Sequence, residues 1–149
     1  MPEPPKTRTA VIGAGAFGRN HLRVWRELEA AGHPIELCAV VDPAPDIAAS
    51  VARELGRPVY SSIDELLAAQ PLPHAASVAV PTSRHFDIAL QLLSAGVDVL
   101  LEKPMTTTLA QADQLIELAK RGGRILQVGH LERFNPAVRA VRPIVNRPL

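Results

Sequence analysis

A doubly wound parallel α/β sheet is the fold that this sequence predicts, and three observations predict it. Short apolar, β-prone runs alternate with stretches whose apolar residues recur at helical spacing. The passages between them fall at glycine, proline or a capping residue. The first passage is a glycine-rich turn, Gly13-Ala-Gly-Ala-Phe-Gly18, that leaves an apolar run and enters a helical pattern. With right-handed crossovers the expected strand order is 3-2-1-4-5-6.

Each element has its own signal. The run from Thr9 to Ile12 is the first strand, and Phe17, His21, Val24, Trp25 and Leu28 mark a helix that Gly32 stops. Ile35 to Val41 is a continuous β-prone run ending at Asp42-Pro43, as in strands buried on both faces. Ile47, Ala48, Val51, Ala52 and Leu55 form the next amphipathic stripe, closed by Gly56, and Pro58-Val-Tyr60 makes a short third strand. Ser62-Ile-Asp-Glu65 is a capping box opening a helix through Ala69, and Ala75 to Val80 is the fourth strand. Phe86, Ala89, Leu90 and Leu93 predict a helix ending at Gly96, followed by a strand from Asp98 to Glu102. A second capping box, Thr108-Leu-Ala-Gln111, starts a helix that runs to Gly122-Gly123, and the sixth strand is Ile125 to Gly129. Asn135 caps a last short helix with Pro136 at its first position and Pro143 as its breaker.

The 149 residues are the size of one domain and suffice to bury a core. Residues 1–6 read as a frayed tail without the apolar core of a signal peptide, 7–129 as a dinucleotide-binding domain, and 130–149 as a linker and helix. A formal charge of +1 supplies no basic field for nucleic acid or acidic lipid. The single cysteine, Cys38, excludes an intramolecular disulfide and suits a reducing, cytoplasmic setting. The five histidines show no metal-ligand spacing, and the apolar runs are too short for a membrane span, so neither a metal nor a membrane partner is expected.

Ligands of doubly wound sheets lie beyond the carboxyl ends of the strands. That rule gathers Gly13 to Gly18, Asp42, Pro81 to His85, Glu102-Lys103-Pro104 and Gly129-His130 along one crevice. Gly13, Gly15 and Gly18 fill the three glycine positions of a dinucleotide loop, and Ala16 and Phe17 open the helix whose positive end would face two phosphates. Asp42, 24 residues past Gly18, can accept both hydroxyls of an adenosine ribose. With Pro43, Ala44 and Pro45 following, no arginine is at hand for a 2′-phosphate, which favours NAD over NADP. Pro81, Thr82, His85, Glu102 and Lys103 are expected to border the same cofactor. A lysine at a strand end can hydrogen-bond a substrate hydroxyl and stabilise developing oxyanion character. Blander readings exist for each: an ordinary glycine turn, a turn-capping aspartate, a packed histidine and a solvated lysine.

From the glycine turn to Pro136 the chain resembles the glucose-fructose oxidoreductase and inositol dehydrogenase family, Gfo/Idh/MocA. The glycine loop with Asn20-His21, Val40-Val-Asp42, Pro81-Thr-Ser-Arg-His85 and the tripeptide Glu102-Lys-Pro104 carry that resemblance in order and spacing. It implies an NAD-dependent oxidoreductase acting on a sugar or sugar nucleotide, with Lys103 touching substrate and cofactor. The segment Val128-Gly-His-Leu-Glu-Arg-Phe-Asn-Pro136 is similar to members that oxidise the 3-hydroxyl of UDP-N-acetylglucosamine, which makes His130 and Arg133 candidate substrate contacts. Members of the family continue into a second domain that binds the sugar, supplies a histidine base from an Asp-x-x-x-His motif and commonly pairs subunits. The sequence ends at Leu149 without that motif. The expectation is therefore a cofactor domain that binds dinucleotide without turnover. The alternative is a stand-alone NAD-binding sensor or a regulatory module without catalysis.

Overall fold

The computed structural model describes residues 5–145. The expected tail therefore lies mostly outside the described residues. Six strands, β1 (Thr7–Ile12), β2 (Ile35–Val41), β3 (Val59–Tyr60), β4 (Ala75–Val78), β5 (Asp98–Leu101) and β6 (Leu126–Val128), alternate with helices α1 (Ala16–Ala30), α2 (Pro45–Leu55), α3 (Ile63–Ala68), α4 (Thr82–Ser94) and α5 (Leu109–Gly122). A 3-10 turn, Leu131–Phe134, leads into α6 (Pro136–Val145). All pairings are parallel and the sheet order is β3-β2-β1-β4-β5-β6, as the sequence predicts.

The central strands are buried on both faces. Val11, Leu37 and Val40 pack with Leu22 of α1 and Val51 of α2 on one side of the sheet. Ala10, Ile12, Val78, Val99 and Leu101 pack with residues of α3, α4 and α5 on the other. Each fully buried Leu, Ile or Val contributes roughly 1.5–3 kcal/mol relative to exposure, so this pair of layers is the main source of stability. Alternation slips once. The β1–β2 register shifts between Thr9 and Ala10, and Cys38 and Ala39 both lean on the α4 and α5 side. Such a bulge places an extra residue on one strand.

Capping follows the sequence closely. Ser62 Oγ accepts the Glu65 amide at 3.2 Å, while the Glu65 carboxylate accepts the amide and hydroxyl of Ser61, each at 2.8 Å. Those bonds, the Ser61 amide first, hold the Glu65 carboxyl below its ordinary value. Thr108 Oγ1 accepts the Gln111 amide, and Asn135 Oδ1 accepts that of Ala137.

Three expectations need correction. The inward face of α1 is Gly18 and Leu22 with Trp25 beside them, whereas Phe17 and Val24 are each 43% exposed. Close packing of Gly18 on the glycine turn rotates the helix away from the stripe its apolar residues suggest. Strands β4, β5 and β6 end one or two residues early, at Val78, Leu101 and Val128, because the following residues turn aside to form the crevice rim. Pro143 does not break α6, which runs on to Val145. Proline forfeits one bond to the carbonyl four residues back, and every residue of α6 is exposed, so water can meet that carbonyl.

Candidate dinucleotide site

The glycine turn sits where β1 ends. Gly13 donates its amide to the Val41 carbonyl at 2.8 Å and has φ +89°, and a Cβ there would stand 2.7 Å from the Ala79 carbonyl oxygen. A Cβ on Gly18 would run into the Gly13 carbonyl. These two glycines therefore serve the fold. Gly15 is different, since a Cβ there would meet nothing within 4 Å. Its missing side chain leaves open space in front of the α1 N-terminus, where Gly15 offers no side-chain cap and the first turn holds no acid. That is the arrangement a pyrophosphate needs.

Asp42 closes the back of the turn. It is 6% exposed, and its carboxylate accepts the Ala14 amide at 2.8 Å through Oδ2 and the Ala44 amide at 2.9 Å through Oδ1. A carboxylate has about four acceptor positions, so two remain for further donors. Asp42 lines a crevice of about 470 Å³ together with Gly13, Gly15, Pro43, Val80 and Pro81. Its wall also includes Ser61, Ser62, Ile63, Asp64, Arg84, Ile88 and Gln91, of which only Arg84, within the Pro81 to His85 loop, lies in a segment that the strand-end rule gathers along the crevice. Ser61 follows the end of β3, so the same strand-end rule could have found it.

A second concavity, about 240 Å³, is bordered by Phe17, Val80, Pro81, Thr82, His85, Glu102 and Lys103. Here the loops after β4 and β5 meet the start of α1. His85 is 1% exposed, with Nδ1 2.8 Å from the Pro104 carbonyl and Nε2 2.9 Å from the Val80 carbonyl. Its nitrogens thus face backbone oxygens instead of the open crevice. Glu102 is buried and meets His21 Nε2 at 3.0 Å, while its other oxygen accepts the Lys103 amide at 3.2 Å. Lys103 is exposed, and its ammonium makes no salt bridge among the described residues. Beyond it lies a third concavity of about 580 Å³, lined by Phe17, Lys103, Gly129, His130, Leu131, Glu132, Arg133 and Val138. The sequence-predicted residues other than Ala16 and Gly18 therefore line three hollows along one rim, with Phe17 and Lys103 shared between the second and third. No group of three or more metal-binding side chains occurs among the described residues.

A parallel sheet of this order, with a glycine-lined anion cradle after its first strand and a buried acid after its second, defines a dinucleotide-binding domain. The chain belongs to the Gfo/Idh/MocA oxidoreductase family, whose NAD-binding Rossmann-fold model matches residues 7–130. It is 38% identical over 135 residues to the UDP-N-acetylglucosamine 3-dehydrogenase of Acidithiobacillus ferrooxidans, covering 91% of this chain and 40% of that protein. The solved structure of that dehydrogenase superposes with a TM-score of 0.77 over 92% of this chain and 42% of its own. The NAD(+)-dependent scyllo-inositol 2-dehydrogenase of Bacillus subtilis is 33% identical over 89% of this chain and 38% of its own length. The WlbA dehydrogenase of Bordetella pertussis, solved with NADH and UDP-GlcNAcA, is 26% identical with a TM-score of 0.86, over 95% of this chain and 40% of its own. The chain thus spans about 40% of the length of the relatives it matches. No helix among the described residues is long and apolar enough to cross a membrane.

Proposed function

We propose that this chain holds NAD for a dehydrogenase acting on a sugar or sugar-nucleotide hydroxyl. One observation carries the reading: Gly15 leaves open space before an uncapped helix N-terminus, and Asp42 stands behind the same turn with acceptor positions to spare. The residues fit the group. The first-turn amides of Ala16, Phe17 and Gly18 would face the pyrophosphate, Asp42 would accept the adenosine ribose hydroxyls, and its negative charge would repel a 2′-phosphate. Pro81 and Thr82, with Glu102 and Lys103 opposite, would border the nicotinamide.

Bound NAD supplies the hydride acceptor. Lys103, free at the junction of the second and third hollows, would donate to the substrate oxygen and stabilise the negative charge that grows on it as the carbon–hydrogen bond breaks. The hydroxyl proton has to go to a base. His130 and Arg133 border the third hollow and are exposed, Arg133 being suited to a phosphate or carboxylate of the substrate. We assign the base and the sugar contacts other than that of Lys103 to residues outside this chain, and residues 130–149 to the passage toward them. The expected behaviour of the chain by itself is cofactor binding without turnover, and that of the relatives' full length is a sugar oxidation.

Titration with NAD, followed by assay with NAD and UDP-N-acetylglucosamine, tests both halves. Saturable binding with no product supports the assignment. Turnover that vanishes in His130→Ala would move the base into this chain.

A further inference from the structure

The Glu102-Lys103-Pro104 turn is gripped from two sides by histidines on different helices. From α1, His21 Nε2 meets Glu102 Oε1 at 3.0 Å, with the two side chains 11% and 7% exposed. From α4, His85 reaches the Pro104 carbonyl with one ring nitrogen and the Val80 carbonyl with the other. The residues on either side of Lys103 are thus each tied down, while Lys103 itself projects from the turn and is exposed. Gly129 adds a wall. A Cβ there would stand 2.8 Å from Glu102 Oε1, so the carboxylate is backed against the end of β6.

We propose that His21 and His85 are positioning residues that fix the Lys103 turn against the nicotinamide side of the crevice, an inference that rests on the dinucleotide reading above. The Val80 and Pro104 carbonyls lie on the two loops that border one hollow, so a single side chain bridging them sets the width of that hollow. Carbonyl oxygens only accept hydrogen bonds, so each link needs an N–H: imidazole sets a nitrogen against each carbonyl, donating to one of them as the neutral ring and to both as the protonated ring. A phenyl ring of similar size offers neither loop a donor. His21 completes a second linkage. It lies one turn along α1 from Phe17, in the helix whose N-terminus is the phosphate cradle, and its partner Glu102 accepts the Lys103 amide with its remaining oxygen. The end of the crevice that binds phosphate is thereby connected through three residues to the backbone that carries the lysine.

The test compares ligands of different reach on this chain. NADH spans the whole crevice, whereas ADP-ribose ends before the nicotinamide hollow. His85→Phe and His21→Phe are expected to weaken NADH by about tenfold, the equivalent of one good hydrogen bond, and ADP-ribose by less than about twofold. His21→Gln retains an N–H for Glu102 and should restore most of the NADH affinity. Equal losses for both ligands, or none for NADH, would overturn the proposal. Amide hydrogen exchange at Lys103 in the ligand-free chain gives a reading that needs no cofactor: both phenylalanine variants should exchange there at least about tenfold faster, with His21→Gln near wild type. Unchanged exchange would also overturn it. Should the wild type bind neither ligand, the dinucleotide reading falls while the exchange rates still decide the brace. If His85→Phe does not fold, the His21→Phe and His21→Gln pair decides both measurements.

Discussion

Asp42 accepts the Ala14 amide at 2.8 Å, so the acid at the end of the second strand also shapes the glycine turn that follows the first. The two parts of a dinucleotide fingerprint, 28 residues apart in sequence, are one hydrogen-bonded unit. The carboxylate fixes the loop with one set of lone pairs, and in the proposed function it would present the rest to a ribose.

Substitutions at Asp42 should therefore act on both stability and selectivity. Asp42→Ala leaves the buried Ala14 amide without a partner, at a cost of about 1–3 kcal/mol in urea unfolding. Asp42→Ser retains an acceptor, costs less, and is expected to narrow the preference for NAD over NADP in paired titrations by removing charge repulsion. Wild-type affinity for NADP equal to that for NAD would remove the ribose assignment.

The three glycines of the turn are expected to separate. Gly18→Val forces a side chain into the Gly13 carbonyl and should cost about 3 kcal/mol or more, lowering the melting temperature whether or not cofactor is present. A Cβ on Gly15 meets no protein atom within 4 Å, so Gly15→Val should melt near the wild-type temperature. Thermal unfolding of both variants checks this, and a large loss for Gly15→Val would mean that its space belongs to the fold.

Trp25 and Ser77 form a coupled pair. Ser77 is fully buried in β4 and its hydroxyl accepts the Trp25 indole N–H at 3.0 Å. Trp25→Phe should destabilise the domain by about 1–3 kcal/mol, and Ser77→Ala alone by less. A double-mutant cycle is expected to give a coupling of about 1 kcal/mol, and additive effects would contradict the pairing.

Cys38 should be a slow thiol. Burial pushes it above the ordinary cysteine value, against smaller pulls from Arg8, and its Sγ donates to the Thr9 carbonyl at 3.2 Å. At neutral pH the thiolate fraction is then below that of an exposed cysteine, so labelling by a disulfide reagent should be at least about tenfold slower in the native chain than in urea. Raising the pH should speed it. Equal rates in both states would place the thiol at the surface.

The sheet order and the crevice were legible because both depend on local signals: apolar runs of strand length, caps at Ser62, Thr108 and Asn135, and residue types at strand ends. What could not be read locally depends on contacts across the fold. The rotation of α1 follows from Gly18 meeting Gly13, which hides behind the more hydrophobic Phe17 and Val24. The bulge at Cys38 is a matter of register between β1 and β2, invisible in a run that is apolar from Leu37 to Val41. The roles of His21 and His85 depend on Glu102 and Pro104, residues 81 and 19 positions away. Helical spacing could place His21 on a face, and the strand-end rule could place His85 at the rim, but neither names a partner.

Calorimetric titration of this chain and its Gly15→Val variant with NAD tests whether the glycine turn and Asp42 hold the dinucleotide. Saturable, one-to-one binding is expected of the wild type, with a loss of at least about tenfold in the folded variant, whose branched side chain fills the phosphate approach. No binding by the wild type, or undiminished binding by a folded Gly15→Val chain, would contradict it.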